Sequence, residues 1–112
     1  MRIVIVGVCG SGKSILAAGL SKLGYEARPV AQEHSLVPDL FLHSRPDLVI
    51  YLDASDQAVA RRKETGWNPE QLKAQRERLK LARARADIHL QTDGLKPDEL
   101  VARAVEELAK FF

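Results

Sequence analysis

The sequence predicts an α/β fold: a three-layer sandwich whose short four-stranded parallel sheet, in the order 2-1-3-4, carries helices on both faces. Three observations lead there. Short apolar runs alternate with segments of helical periodicity along the whole chain. Two of those runs, Ile3-Val4-Ile5-Val6 and Leu48-Val49-Ile50-Tyr51-Leu52, are uninterrupted, as expected of strands covered on both faces. The other two candidate strands mix apolar with polar residues and suit the edges, which places the first strand inside the sheet.

The first strand spans Arg2 to Gly7. Its helix runs from Lys13 to Leu23, with Leu16, Leu20 and Leu23 on one side and Gly24 as its stop. The second strand, Glu26 to Gln32, contains Pro29 and so belongs at an edge, because proline cannot donate to a central ladder. A short helix over Pro38 to His43 precedes the third strand, Leu48 to Leu52. Ser55 caps a helix through Ala58, Val59 and Arg62. Asn68-Pro69-Glu70-Gln71 joins a capping residue, a proline at the first helical position and a glutamine three residues on, opening a long helix to about Ala86. The fourth strand, Asp87 to Thr92, alternates Ile88 and Leu90 with His89 and Gln91. Pro97 opens the last helix, whose apolar stripe is Val101, Ala104, Val105, Leu108 and Phe112.

With 112 residues the chain makes one domain, spanning residues 1–112. One cysteine excludes an internal disulfide framework and suits a reducing cytoplasm. No stretch reaches the roughly 20 apolar residues of a membrane span, and the apolar run after Arg2 passes into glycines without a cleavage signature, so no membrane association is expected. A net charge of +2 is modest and does not by itself argue for nucleic acid, which is not the expected partner. No His/Cys/Asp/Glu spacing suits zinc.

Chemistry concentrates in Gly7-Val8-Cys9-Gly10-Ser11-Gly12-Lys13-Ser14, placed between the first strand and the first helix. Glycines at 7, 10 and 12 let the backbone curl so that successive N–H groups point at an anion, and the positive end of the following helix adds to that field. Lys13 is placed to reach outer phosphates and the Ser14 hydroxyl to ligate magnesium. Gly7, Cys9, Gly10, Ser11, Gly12, Lys13 and Ser14 are therefore the expected nucleotide-binding residues.

These residues spell the phosphate-binding loop, or Walker A motif, and the chain resembles P-loop nucleotide-binding proteins. Pro46-Asp47-Leu48-Val49-Ile50-Tyr51-Leu52-Asp53 is similar to the strand before the lid in thymidylate-kinase-like proteins. Ala86 to Gly94, followed by Lys96-Pro97-Asp98-Glu99, looks like the last strand and final helix start of shikimate-kinase-like and adenylylsulfate-kinase-like proteins. The resemblance implies ATP and magnesium, and the absence of a guanine-reading N-K-x-D favours ATP over GTP. It implies kinase-like phosphoryl transfer to a small-molecule acceptor. It also implies a carboxylate at a neighbouring strand end to organise the metal, which Glu33 or Asp53 supplies, Glu33 being favoured by position. Arg61 and Arg62 fall where the resembled kinases carry a mobile lid whose arginines offset charge during transfer; Lys13, Glu33, Arg61 and Arg62 are the expected catalytic set.

The resembled kinases commonly have five strands ordered 2-3-1-4-5 and an acceptor-binding insertion; here His34 to Pro46 is all that separates the second and third strands. That gap leaves a competing reading open: a nucleotide-binding regulatory module without efficient chemistry. Side readings are a base at His34, a redox-sensitive thiol at Cys9, a seat for the lid at Gly66 and Trp67, a basic helix face over Arg76, Lys80 and Arg83, and a homodimer contact through Phe111-Phe112.

Overall fold

A computed structural model of the protein describes residues 1–62 and 68–111. The chain runs β1 (Arg2–Gly7), α1 (Lys13–Lys22), β2 (Glu26–Pro29), two 3-10 turns (Gln32–His34 and Leu40–Leu42), β3 (Leu48–Asp53), α2 (Asp56–Arg62), α3 (Pro69–Arg78), α4 (Lys80–Arg85), β4 (Ile88–Gln91) and α5 (Pro97–Leu108), ending in a 3-10 turn, Ala109–Phe111. All strand pairings are parallel and the sheet order is β2-β1-β3-β4. Ile5 of β1 thus lies between Pro29 and Ile50, and Leu52 of β3 between Gly7 and Leu90. The order expected from the two uninterrupted apolar runs is the one observed.

Alternation along the strands divides the core into two layers. Ile3, Ile5, Ile50, Leu52, Ile88 and Leu90 face α1 and α5, where Leu16, Leu20, Leu100, Ala104 and Leu108 close the layer. Val4, Val6, Val49 and Tyr51 face the other way, against Val59 of α2, Leu72 of α3, Ala82 of α4, and Phe41 and Leu79 between elements. Burying each large aliphatic side chain in these layers is worth roughly 1.5–3 kcal/mol. Among the described residues no helix is long and apolar enough to cross a membrane.

Four expectations need correcting. β2 ends at Pro29, not Gln32; the ladder gains one last bond, Val30 N–H to Ile5 O at 3.0 Å, and the chain then coils into the Gln32–His34 turn, burying Gln32 and Glu33. The helix expected over 38–43 is a single 3-10 turn around the fully buried Phe41. The helix expected over 69–86 is two, broken at Leu79, where the Gln32 carboxamide reaches the Arg78 carbonyl at 3.4 Å. Leu23 lies beyond the end of α1 and is 60 % exposed, because Gly24 at φ 95° turns the chain away from the core. Leu100 is buried on α5 beside Ala104 and Leu108; Phe112 of the expected stripe and the segment with Gly66 and Trp67 lie outside the described residues.

Helices α1 and α5 approach closely at Gly19, where an added Cβ would stand 2.4 Å from Val101 Cγ2. Gly→Ala inside a helix ordinarily stabilises by up to about 1 kcal/mol. Gly19→Ala should instead destabilise by about 1–3 kcal/mol, since a β-branched neighbour on a packed helix has little room to yield; urea unfolding measures the sign.

Candidate functional site

The turn between β1 and α1 is shaped by what its backbone must do. Gly10 and Gly12 take φ of 81° and 104°, a region side chains rarely enter. At Gly7 the constraint is space: a Cβ would meet Ser11 Oγ at 2.6 Å and Leu52 O at 2.7 Å. The loop is thereby pressed against the end of β3. Ser11 N–H closes onto Val8 O at 3.1 Å, and Leu16 N–H onto Gly12 O at 3.0 Å as α1 begins. The first turn of α1 has neither a side-chain cap nor an acidic residue, so no side chain of its own offsets its positive end.

Lys13 folds back over this loop. Its Nζ donates to Gly7 O at 2.9 Å, Val8 O at 3.1 Å and Glu33 Oε2 at 2.5 Å. The pair is nearly dry, with side chains 11 % and 4 % exposed. Glu33 reaches Lys13 from the 3-10 turn after β2, which is held from behind. Gln32, fully buried, donates to Val37 O at 2.8 Å and accepts from Phe41 N–H at 2.9 Å. Arg78 donates to Glu33 O at 3.2 Å. His34, exposed, lies 3.9 Å from the same carboxylate oxygen. Among the described residues Glu33 Oε1 and Ser11 Oγ are buried without a hydrogen-bond partner.

Beside the loop opens a cleft of about 510 Å³. Residues 10–14 form its polar floor, Ile15, Leu95, Pro97 and Leu100 an apolar wall, and Arg62 and Thr92 its rim. Arg62 bridges that rim, donating to Gly10 O at 3.0 Å, Thr92 Oγ1 at 3.1 Å and Thr92 O at 2.6 Å. Of the two arginines expected at a lid, Arg62 meets the loop; Arg61 is exposed and acts through its field on Asp93.

Asp53 has different company. Its carboxylate lies 3.8 Å from Arg76 and 3.7 Å from Arg83, and Arg76 also binds Asp56 at 2.7 Å and Ala54 O at 2.8 Å. The structure brings Glu33, and not Asp53, against Lys13. Of the basic face expected over Arg76, Lys80 and Arg83, Arg76 is occupied with these acids, while Lys80 and Arg83 stay exposed, Arg83 at 3.7 Å from Asp53. Burial, reinforced by the Asp53 charge, raises the Tyr51 phenol above its usual range, so it stays neutral beneath the network.

Two contributors escape local pattern reading. Gln75 of α3 accepts from Cys9 N–H at 2.9 Å and donates to Cys9 Sγ at 3.2 Å. The Cys9 N–H is thus committed to α3, and Cys9 supports the loop instead of facing an anion. Thr92 matters through Arg62. Nothing in the spacing around Gln75 marks it, since a glutamine in a charged helix reads as solvent-facing.

Among the described residues no group of three His, Cys, Asp or Glu side chains is gathered for a metal. Of the expected metal-holding residues, Ser14 lines the cleft and Glu33 keeps one buried oxygen, Oε1, without a hydrogen-bond partner among the described residues. In comparisons with known proteins, no family model matches the chain and no curated protein matches it significantly.

Gln75→Leu leaves the Cys9 N–H without its acceptor, so a loss of about 1–3 kcal/mol is expected, with faster hydrogen exchange at the Cys9 and Gly10 amides. The other rim is tuned by Ser55, which caps α2 through Ala58 N–H at 3.1 Å and donates its own N–H to Asp93 at 2.9 Å. Hydrogen bonding by Ser55, side chain first, holds the Asp93 carboxyl below the usual carboxylate range. A depressed folded value gives stability above the unfolded value, lost as pH falls through the folded one. Ser55→Ala should cost about 1 kcal/mol at neutral pH, and its deficit should narrow as Asp93 protonates; urea titrations across acid pH follow both.

Proposed function

We propose that this chain binds a nucleoside triphosphate with magnesium, ATP rather than GTP, and acts as a minimal kinase-like phosphotransferase on a small acceptor. One observation carries the reading: a glycine loop with positive φ at Gly10 and Gly12 leads into an uncapped helix start, with the Lys13 ammonium folded over it. The loop sits at the C-terminal end of β1, between strands whose connections leave in opposite directions, the position where α/β sheets take ligands.

Each residue then has a part. Backbone N–H groups of Gly10, Gly12, Lys13 and Ser14 would take phosphate oxygens, while the Ser11 N–H holds the turn on Val8 O, and Lys13 would turn from Gly7 O and Val8 O to the outer phosphates. Ser14 and Glu33 would hold the metal and its water. Magnesium, when bound, would offset the phosphates' charge. Arg62 already touches the loop at Gly10 O and would leave Thr92 to meet charge developing on the transferred group, a contact worth about 10³–10⁵ in rate in enzymes of this chemistry. The apolar wall of Ile15, Leu95, Pro97 and Leu100 would shelter the base.

The competing reading, a nucleotide-responsive module without efficient chemistry, is favoured by the stretch between β2 and β3, which holds only two 3-10 turns and no acceptor-binding domain. An acceptor site completed by a second copy would reconcile the two, and Phe111, 45 % exposed, is available for such a contact. The lone cysteine fits a cytoplasmic setting.

ADP release from magnesium-ATP, with and without nucleoside, nucleotide and small hydroxyl acceptors, separates these readings. Turnover stimulated by one acceptor class, abolished in Lys13→Ala and lowered about 10³-fold in Arg62→Ala, is the expected result. ATP binding with no stimulation by any acceptor would favour the regulatory module.

A further inference from the structure

Lysine has three donors and no acceptor, and all three of Lys13's are used: Gly7 O, Val8 O and Glu33 Oε2. A phosphate arriving at the loop therefore finds no free donor on Lys13. Glu33 is as strongly committed. Only 4 % exposed, it has one carboxylate oxygen on the ammonium and the other without a partner. The other cations near it, Arg78 and His34, do not substitute. Arg78 donates to the Glu33 backbone carbonyl, and His34 stands 3.9 Å away in solvent.

We infer that Glu33 is a latch on Lys13, and that the latch makes triphosphate and divalent cation bind as a coupled pair. The inference rests on the magnesium-nucleotide reading above. If phosphates take Lys13 alone, a buried carboxylate is stranded without a counter-charge, which is strongly unfavourable. If a cation approaches Glu33 alone, the ammonium already holds the place. When both arrive, the phosphates neutralise Lys13 and the cation replaces it at Glu33. Each ligand then raises the other's affinity by the same factor. Glu33 thereby guards the loop against metal-free anions as well as serving the metal.

Calorimetric titration of ATP into the wild type, Glu33→Gln and Glu33→Asp, in magnesium and in chelator, tests this. Glu33→Asp keeps the charge but withdraws the carboxylate by one methylene, separating a latch from plain repulsion between Glu33 and phosphate. The latch predicts that both variants bind ATP in chelator about tenfold more tightly than wild type, a difference of about 1.4 kcal/mol, and that the benefit of magnesium shrinks in Glu33→Gln. A gain in Glu33→Gln alone, or in neither, overturns it. Should the substitutions at 33 fail to fold, Lys13→Met gives the reciprocal test. With the ammonium gone, Mn²⁺ without nucleotide should bind this variant and not the wild type, read from the spin resonance of free Mn²⁺. Equal Mn²⁺ binding by the two proteins overturns the latch. Wild type that binds no ATP even with magnesium refutes the nucleotide reading itself, a distinct result.

Discussion

An ammonium group that water barely reaches has to be surrounded by oxygen, and the C-terminal edge of the sheet is arranged around that requirement at Lys13. Two of its oxygens come from the backbone where β1 runs into the loop, and the third from Glu33 beyond β2. β2 cannot remain extended and deliver that carboxylate. It stops at Pro29, and the chain coils so that Glu33 turns inward. The turn then depends on Gln32 and Arg78, the first bonded to the loop over 37–41 and the second reaching across from α3. One buried charge thus ties together the start of α1, the exit of β2 and the middle of the α3–α4 pair, where the helix breaks.

The far side of the cleft is held more loosely and by different means. α2 is anchored at its start by the Ser55 cap and by Arg76, which joins Asp56 and Ala54 O to α3. Its last residue, Arg62, reaches the loop through carbonyl oxygens and one hydroxyl, with no carboxylate hydrogen-bonded to it among the described residues. Carbonyl acceptors release a guanidinium more readily than a charged partner does. A cation that yields easily on one rim, facing one that is bound to a buried acid on the floor, suits a site where an arriving anion first meets the rim and then competes for the floor.

How much of this the sequence discloses depends on how local each cause is. Ile3 to Val6 and Leu48 to Leu52 reveal two doubly covered strands because burial on both faces removes polar residues from the run itself; the strand order follows. The glycine loop is legible for the same reason, since positive φ at Gly10 and Gly12 and the crowding at Gly7 leave few alternatives. The break at Leu79 and the early end of β2 are not legible. Gln32 lies at both places, in the turn after β2 and against the Arg78 carbonyl, and its carboxamide bonds residues from five to forty-six positions away. Gln75 is hidden likewise, its partner lying sixty-six positions off in the loop. Choosing between Glu33 and Asp53 needed tertiary information too. Asp53 ends β3 and Glu33 lies in the turn after β2, both beside β1, and what parts them is that α3 and α4 place Arg76 and Arg83 over Asp53 while Lys13 meets Glu33.

A buried ion pair is weak evidence for stability, because the desolvation of both partners offsets most of their attraction and a well-packed apolar pair often does as well. Unpartnered buried oxygens are worse, at about 1–3 kcal/mol each, against a total stability of about 5–15 kcal/mol for a domain. Among the described residues three buried side-chain oxygens lack a partner, and two of them, Ser11 Oγ and Glu33 Oε1, belong to the loop and to the acid that pairs with Lys13. Chance placement over the core would not gather an ion pair and two unsatisfied oxygens around one glycine turn. Selection for stability alone would have removed them, since aliphatic side chains fill both core layers elsewhere. Local violations of packing rules gather where a protein does something other than stay folded. Here they gather where backbone, helix end and ammonium already converge on a place for an anion, and this supports reading Lys13 and Glu33 as parts of a ligand site rather than as a brace for the sheet.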